Sequence, residues 1–351
     1  MNRPLAFKLG AIALLILLLL IPLSMIGGLV SERQLQRDAV LQDIARSSSY
    51  RQQLTGPILV LPYTKVLHEW KTQAKTGERY LEERQVRGRL YFLPERFELN
   101  GQVVTELRAR GIYQARLYHS DNQVSGLFKL PARMGLGDDL GLYQFERPFL
   151  AVGISDIRGI GNALQLRLND ASLDFQPGSG DERLGAGVHV PLPALDSQGG
   201  QRLEFAVDLK LQGTEQLSVV PVGRDSRVRL QADWPHPSFV GEYLPNQREV
   251  SDQGFTAQWQ TSFFATNLEQ SLQACVRKDN CQELFGRRFG VSFVDPVDQY
   301  LKSDRAIKYA LLFISLTFAV FFLFEVLKRL AVHPLQYALV GLSLADRAMR
   351  G

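Results

Sequence analysis

Two long apolar runs divide the chain. The first, at residues 9–30, contains no charged residue, and the second, at 306–328, has charges only near its ends. A helix rises 1.5 Å per residue, so a run of about 22 residues crosses a hydrocarbon core of about 30 Å. The pattern therefore predicts two transmembrane helices. The long segment between them, residues 31–305, then lies on one side of a membrane.

This segment has mainly the alternating pattern of β-strands. Between residues 203 and 211, apolar side chains alternate with Glu204, Asp208 and Lys210. Such alternation marks a strand with one buried and one solvated face, which is typical of antiparallel sheets. The same reasoning predicts further strands at 57–67, 84–93, 102–118, 148–155, 164–175, 228–234, 255–259 and 287–294.

Breaks and helices complete the predicted organisation. Turn-rich stretches predict breaks at 94–101, 119–122, 176–187 and 195–201. The first span is expected to continue as a helix into residues 31–52, and 267–275 is the best other helix. The predicted fold class is mainly β: a large antiparallel, sandwich-like domain flanked by transmembrane α-helices. Whether it forms one unit or two stays open, with 176–187 the most plausible seam.

Flanking charges predict the orientation. Arg3 and Lys8 precede the first span, and Lys328 and Arg329 follow the second. Basic residues favour the cytoplasmic side, although other basic residues precede the second span. We therefore expect residues 1–8 in the cytoplasm, 329–351 as a cytoplasmic or interfacial tail, and the β-domain outside. A cleaved signal peptide is the alternative, but the first apolar run is longer than an ordinary signal sequence and lacks a clean cleavage site.

Composition and motifs exclude several functions. The net charge of +4 over 351 residues, with no run of five basic residues, argues against nucleic-acid binding. Gly159-Ile160-Gly161 lacks the third glycine of a dinucleotide loop, and the residues after it read as a strand, so it is interpreted as a turn. The five histidines are scattered, and common hydrolase and zinc motifs are missing. We predict no catalytic, cofactor-binding or metal residues, and a protein that is not an enzyme.

The two cysteines form a candidate disulfide. Cys275 and Cys281 are separated by a turn-like segment and lie in the part of the chain predicted to be outside the cytoplasm, where disulfides persist. Pairing requires Cα atoms within about 7 Å, which a continuous helix over both residues would prevent.

A proline-rich hexapeptide is the most unusual motif. Two prolines at alternate positions end a strand and stiffen the chain. One interpretation is a partner-binding edge with an exposed aromatic ring and histidine; the other, which we favour, is a rigid corner with its aromatic rings in the core. The residues are Trp234, Pro235, His236, Pro237, Ser238 and Phe239.

These segments resemble a known family. The hexapeptide, the sequence "LTGPILVLPY" near the start, "GVHVPLP" in the middle and "DPVDQYLKSDRAIKYALLF" before the second span are similar to the CreD family of bacterial inner-membrane proteins. The resemblance covers nearly the whole chain. It implies a multi-pass inner-membrane protein with a large periplasmic domain, associated with cell-envelope integrity and with an envelope-stress response linked to β-lactams. It supplies no catalytic residue.

The end of the chain departs from the family pattern. CreD-like proteins continue with more spans, whereas "AVHPLQYALVGLSL" starts an apolar segment too short to cross. We therefore expect a C-terminally truncated member with an incomplete third span. The leading functional hypothesis is a non-enzymatic envelope protein whose partners are the lipid bilayer and an unknown envelope component or membrane protein. The alternative is a subunit of a transporter or channel.

Overall fold

A computed structural model describes residues 3–72, 79–278, 280–293, 295, 299–328 and 333–350. The chain divides into two compact units. One is the helical unit, Met1–Gln42 with Asp295–Gly351, and the other is the β-domain, Asp43–Val294.

The first helix extends well beyond the first apolar run, as the sequence predicts. Two helical segments are long and apolar enough to cross a membrane, Leu9–Ser47 and Arg305–Lys328. A shorter apolar helix covers Leu335–Leu344. The α-helices of the described residues are α1 (Arg3–Ser47), α2 (Phe263–Thr266), α3 (Leu268–Lys278), α4 (Gln282–Gly286), α5 (Gln299–Lys328) and α6 (Pro334–Arg350).

The β-domain consists of many short and long strands. The first eight are β1 (Gln52–Thr72), β2 (Arg79–Phe92), β3 (Arg96–Arg110), β4 (Tyr113–Leu130), β5 (Tyr143–Phe145), β6 (Phe149–Ile154), β7 (Gln165–Leu168) and β8 (Ala171–Asp174). The others are β9 (Gln176–Pro177), β10 (Gly187–Pro191), β11 (Gln201–Thr214), β12 (Gln216–Val220), β13 (Asp225–Ala232), β14 (Ser238–Gly241), β15 (Gln247–Ser251), β16 (Gly254–Ser262) and β17 (Phe289–Ser292). Short 3₁₀ turns cover Ala132–Gly135, Gly137–Leu142, Ile157–Gly159 and Glu182–Leu184.

The strands form two sheets around one core. The order of the first sheet is β14-β17-β12-β1-β6-β10-β9, with β2 and β5 also paired to β1. The order of the second is β15-β16-β13-β3-β4-β11-β7-β8. One buried cluster contains apolar residues of both sheets. Trp259 of the second sheet stacks on Phe289 of the first with ring centroids 5.2 Å apart. The predicted β-rich, sandwich-like fold is thus confirmed.

Each sheet is mixed rather than wholly antiparallel. β1 pairs in parallel with β12, and β3 pairs in parallel with β13. The other strand pairings of the described residues are antiparallel. Alternation of apolar side chains reports which face of a strand is buried, but it carries no information on strand direction. The prediction of an antiparallel domain therefore holds for the other pairings and was wrong at these two.

The predicted strand at 102–118 and break at 119–122 were wrong. The chain instead forms a long hairpin of β3 and β4, which turns at Gly111 and Ile112. The polar sequence Ser120-Asp121-Asn122 lies inside β4. Ser120 and Asn122 face inward, where their side chains bond to the carbonyls of Leu211 and Leu209. Because these buried polar groups find partners in the sheet, the strand continues through a sequence that looks like a turn.

Two further predicted boundaries shift in the same way. The segment 164–175 is a hairpin of β7 and β8 rather than one strand. The predicted break at 94–101 is shorter, because β3 already begins at Arg96. The segment 176–187 lies inside the single unit Asp43–Val294.

A buried charge fixes the segment 176–187 to β2. Asp181 is 4% exposed, accepts a hydrogen bond from the Tyr91 hydroxyl and pairs with Arg89 at 2.8 Å. Burial raises the pKa of the Asp181 carboxyl, but the hydrogen bonds from Tyr91 and Arg89 outweigh it and hold the pKa below its usual range. Burial, followed by the neighbouring carboxylate, raises the pKa of Tyr91 to about 12. The segment is therefore held as part of the core.

The helical unit has a small core of its own. Phe318 of α5 packs edge-on against Tyr337 of α6, with ring centroids 5.3 Å apart. The Tyr337 hydroxyl donates to buried Glu325 at 3.5 Å. Leu19 and Leu23 of α1 belong to the same buried cluster. The apolar tail segment thus forms a helix that packs within this unit.

Candidate functional site

The chain enters the β-domain beside the turn that joins β11 to β12. The Ser49 hydroxyl donates to the Gln212 carbonyl at 2.6 Å. The Thr214 amide donates to the Tyr50 carbonyl at 3.3 Å, and its hydroxyl donates to the Ser49 carbonyl at 3.1 Å. Residues 212–216, which we name the anchor turn, therefore hold the chain directly after α1.

The chain leaves the β-domain beside the same turn. The Phe293 amide donates to the Glu215 carbonyl at 2.7 Å. The Phe293 side chain is 0% exposed, and its ring centroid lies 5.1 Å from that of Tyr118 and 6.5 Å from that of Phe255. The Tyr118 hydroxyl donates to the Gln216 carbonyl at 2.8 Å, and burial raises its pKa. The anchor turn thus contacts both ends of the β-domain.

Glu215 has an unusual backbone in this turn. Its φ is 62°, in the left-handed region. A non-glycine residue there costs of order 1–3 kcal/mol and persists only where its surroundings enforce it. The carboxylate pairs with Arg51 at 2.5 Å, and the amide donates to the Arg116 carbonyl at 3.4 Å. The conformation directs the Glu215 carbonyl to Phe293 and its carboxylate to Arg51.

A buried glutamine ties a third segment to the anchor turn. Gln52 Nε2 donates to the carbonyls of Asp156 and Gln212 at 2.9 and 3.0 Å. Gln52 Oε1 accepts from the Ser155 hydroxyl at 3.1 Å and from the Asp156 amide at 3.2 Å. Both the NH₂ group and the oxygen of the Gln52 side-chain amide therefore have two hydrogen-bond partners inside the protein. Such a satisfied buried amide favours a rigid junction.

Gly159 lies where two segments of this junction approach each other closely. A Cβ there would lie 2.3 Å from the Gln212 carbonyl oxygen and 2.4 Å from Gln52 Nε2. At Gly161 the nearest atom would be 3.6 Å away. The glycine pair that resembles part of a nucleotide loop is thus a tight turn, in which the first glycine admits the neighbouring backbone.

Arg158 joins the junction to the end of α1. Its guanidinium donates to the Arg46 carbonyl at 2.8 Å and pairs with Asp156 at 2.6 Å. The hydrogen bond from Arg158 is the main cause that lowers the pKa of the Asp156 carboxyl, against an opposing effect of burial. The last turn of a helix has unpaired carbonyls, so this contact caps α1.

The proline-rich corner contacts the junction through Arg116. Trp234 is 5% exposed, its indole nitrogen donates to the His236 carbonyl at 2.8 Å, and the Arg116 guanidinium lies 3.8 Å from its ring centroid. His236 and Ser238 are exposed, whereas Phe239 is half-buried against Trp259 at 5.8 Å. The burial of Trp234 favours the interpretation as a rigid corner.

Cys275 lies in α3, and Cys281 directly precedes α4. Because α3 ends at Lys278 and α4 begins at Gln282, no continuous helix contains both cysteines. Their Cα atoms are 4.3 Å apart and the structure pairs them as a disulfide. The α4 segment reaches β1, where Gln53 Nε2 donates to the Phe285 carbonyl at 3.4 Å. The oxidised state in the cell stays a prediction.

Other chemistry in the described residues is sparse. They contain no group of three metal-ligating side chains. An open cleft of about 710 Å³ is lined mainly by apolar residues, among them Leu61, Met134, Phe145 and Leu192, with Arg147 at its side. Met134 is buried and has φ 52°. The cleft therefore offers a mainly apolar lining at the surface of the β-domain.

Comparison with known proteins identifies the family. The family model described as inner membrane protein CreD matches residues 4–345. The chain belongs to the CreD family. It is 40% identical to the inner membrane protein CreD of Escherichia coli K12 over 345 residues, which are 98% of this chain and 74% of the relative. The resemblance inferred from the sequence is confirmed. This CreD-family chain is thus an inner-membrane protein with membrane-spanning helices.

Sequence reasoning found only part of this site. It identified the hexapeptide and the glycine pair, but missed the anchor turn, Gln52 and Arg158. Each of these acts through backbone groups brought together from distant segments, and no local motif signals such contacts. The one local signal was the sequence Thr214-Glu215-Gln216 between two strand patterns. It indicates a short connection between strands but not the residues that the connection contacts.

Proposed function

We propose that this CreD-family chain is a non-enzymatic protein whose β-domain lies in the periplasm, senses an envelope component and contributes to envelope integrity or the envelope-stress response. The observation that carries the proposal is the anchor turn. Its Thr214 amide donates to the Tyr50 carbonyl at the start of the β-domain, and its Glu215 carbonyl accepts from the Phe293 amide at the end.

The geometry supports a sensor better than a passive anchor. A single span already holds a domain at a membrane effectively irreversibly. Here the two ends of the β-domain are hydrogen-bonded to one partly buried turn, so a displacement of that turn acts on both. The apolar cleft beside Met134 gives the domain a surface on which an envelope component can bind.

An enzymatic function has less support. Among the described residues, the most buried charged side chain is Asp181, and its carboxylate is bonded to Tyr91, Arg89 and the Arg183 amide. Such saturation is typical of a structural pair rather than of a catalytic acid.

A transporter or channel subunit is the second candidate. Glu325 is a buried carboxylate in a span, bonded to Tyr337 of the neighbouring helix. Buried acids in spans often mark ion pathways. Glu325 lies only three residues from the end of α5 at Lys328, however, so it does not form a pathway through the span.

Thiol labelling tests the sidedness. Gln198 and Asp252 are exposed in the β-domain. Single cysteines at these positions should react with a membrane-impermeant reagent added outside spheroplasts, while a cysteine at Asn2 should not. Labelling at position 2 alone would reverse the orientation.

Genetic complementation tests the function. A strain lacking this gene, challenged with detergents and cell-wall inhibitors, should regain resistance when it expresses the intact chain. A form in which a short linker replaces residues 53–292 should not restore it at equal membrane abundance. Equal recovery with both forms would place the activity in the helical unit.

A further inference from the structure

The open cleft of the β-domain is lined mainly by apolar side chains from four segments of the chain. Leu61 lies in β1, Met134 in the 3₁₀ turn after β4, Phe145 at the end of β5, and Leu192 directly after β10. Eight of the eleven lining residues are apolar, and the cleft volume is about 710 Å³. Small-molecule sites have volumes of about 300–1,000 Å³ and a similar apolar lining. The cleft therefore has the size and the lining of a site for an apolar ligand group.

An unfavourable backbone conformation holds Met134 in this cleft. Arg133 and Met134 have φ values of 53° and 52°. Left-handed backbone is unfavourable for residues with a side chain, and such residues cluster at functional sites. The Arg133 side chain pairs with Asp138 at 2.9 Å, and its amide donates to the Gln198 carbonyl at 3.4 Å. Because the thioether of Met134 is flexible and polarisable, it adapts to apolar chains of varied shape.

Arg147 places a positive charge beside the apolar lining. Its side chain is exposed, and Nε donates to the carbonyl of buried Leu192 at 3.2 Å. It forms no ion pair with a carboxylate of the described ranges. The carboxylate of the adjacent Glu146 accepts from the Thr64 hydroxyl of β1 at 3.5 Å. An anionic group at this side of the cleft therefore meets a guanidinium, which holds phosphate and carboxylate groups through paired N–H donors.

The lining favours an acyl chain over a peptide or a glycan. A peptide that joins a sheet edge needs backbone N–H donors there, and the lining residues Pro148 and Pro193 have none. A glycan needs several polar partners. Among the described lining residues, the polar side chains are those of Glu146, Arg147 and Ser197. A long apolar chain with one anionic group matches both the apolar lining and the arginine beside it.

We propose that this cleft binds one acyl chain of an anionic phospholipid, with the chain against Leu61, Met134 and Leu192 and the phosphate at Arg147. The inference rests on the proposed function, because it names the chemical class of the envelope component that the β-domain senses. Burial of the chain removes apolar surface from water, and charge-assisted hydrogen bonds from Arg147 orient the headgroup.

Photolabelling of the full-length chain in detergent tests the site. The probe is a lysophosphatidylglycerol whose single acyl chain carries a diazirine and which exchanges through water as a monomer. After irradiation, mass spectrometry should find the probe on peptides from residues 131–148 or 192–198 and on the two spans. The spans contact any amphiphile, so their labelling is the internal reference. Labelled spans without labelled cleft peptides would overturn the proposal.

Two matched pairs of variants test the acyl chain and the headgroup separately. Ala194 is an exposed lining residue, so Ala194→Trp should fill the cleft without changing the core and lower cleft labelling several-fold, whereas Ala194→Ser should not. Arg147→Glu should lower cleft labelling several-fold, whereas Arg147→Lys should retain most of it. A monoacylglycerol probe with the same chain should label both Arg147 variants equally. Equal labelling of the Ala194 pair, or of the Arg147 pair by the anionic probe, would contradict the proposed lipid contacts.

Complementation separates this inference from the proposed function. If the β-domain senses this lipid, Ala194→Trp should fail to restore resistance in the deletion strain at equal membrane abundance, whereas Ala194→Ser should restore it. Full resistance with Ala194→Trp despite lost labelling would refute the sensing role of the cleft. Resistance that requires residues 53–292, in a chain whose cleft peptides are not labelled, would refute the lipid site and leave the proposed function standing.

Discussion

Gly159 occupies a position that no other residue fits without moving the backbone of the junction. An added methyl group would meet the Gln212 carbonyl and the Gln52 amide. We expect Gly159→Ala to lower the free energy of unfolding by about 1–3 kcal/mol, as overpacking does. Gly161→Ala is the matched control and should cost less than about 1 kcal/mol. Denaturant unfolding of the detergent-solubilised chain measures both. Equal costs would show that the close approach is absent.

Trp234 and His236 separate packing from exposure within one motif. Trp234→Ala should lower the free energy of unfolding by about 3–5 kcal/mol, because it removes a buried aromatic ring. His236→Ala should cost less than about 1 kcal/mol. The same unfolding experiment, followed by near-ultraviolet circular dichroism, distinguishes them. A Trp234→Ala variant as stable as the parent would favour the partner-binding interpretation of the corner.

Asp181 makes the β-domain sensitive to acid. Because its folded-state pKa is lowered, the charged form stabilises the fold above the usual carboxyl pKa of about 4, and this contribution is lost as the pH falls through the folded-state value. We expect Asp181→Asn to lower the melting temperature at pH 7 and to flatten its fall between about pH 5 and 2.

Asp208→Asn, which removes an exposed pair with Arg167, is the control for this experiment. It should change neither the melting temperature at pH 7 nor its dependence on pH. An Asp181→Asn variant that behaves like the control would contradict the buried ion pair.

At the scale of elements, the α3–α4 hairpin is closed by the two cysteines. A disulfide across so short a loop stabilises a fold by about 2 kcal/mol through loss of unfolded-state entropy. Protein alkylated before reduction should show Cys275 linked to Cys281 by mass spectrometry, and the double alanine variant should be destabilised by about this amount. Alkylation of both thiols in freshly extracted protein would refute the pairing.

The alternation of apolar and polar side chains predicts strands by their buried faces. It does not predict strand direction or contacts between residues far apart in the sequence. β11 and β13 follow from alternation, since every second side chain is buried. The turn at Gly111 and Ile112 has no strong turn signal, while Ser120-Asp121-Asn122 has one and lies in a strand. Its polar groups are satisfied by Leu209 and Leu211, residues about 90 positions away. Such long-range compensation cannot be seen in a local window.

At the scale of the whole molecule, apolar runs predict the two spans and the β-domain between them. The family follows from motifs, and the comparisons confirm it. The anchor turn could not be predicted, because Tyr50, Glu215 and Phe293 become neighbours only after both sheets form. The proposed coupling of the β-domain to its membrane connections rests on this turn.

A flexible insertion tests this coupling most directly. Five residues, Gly-Gly-Gly-Gly-Ser, are inserted after Asp295, just beyond the last contact with the anchor turn, and in a control chain after Gly199 in a loop of the β-domain. Both chains are expressed at equal membrane abundance in the deletion strain under envelope stress. If the anchor turn couples the β-domain to its membrane connections, the control chain restores resistance and the chain with the insertion after Asp295 does not. Full recovery with the latter chain would contradict coupling.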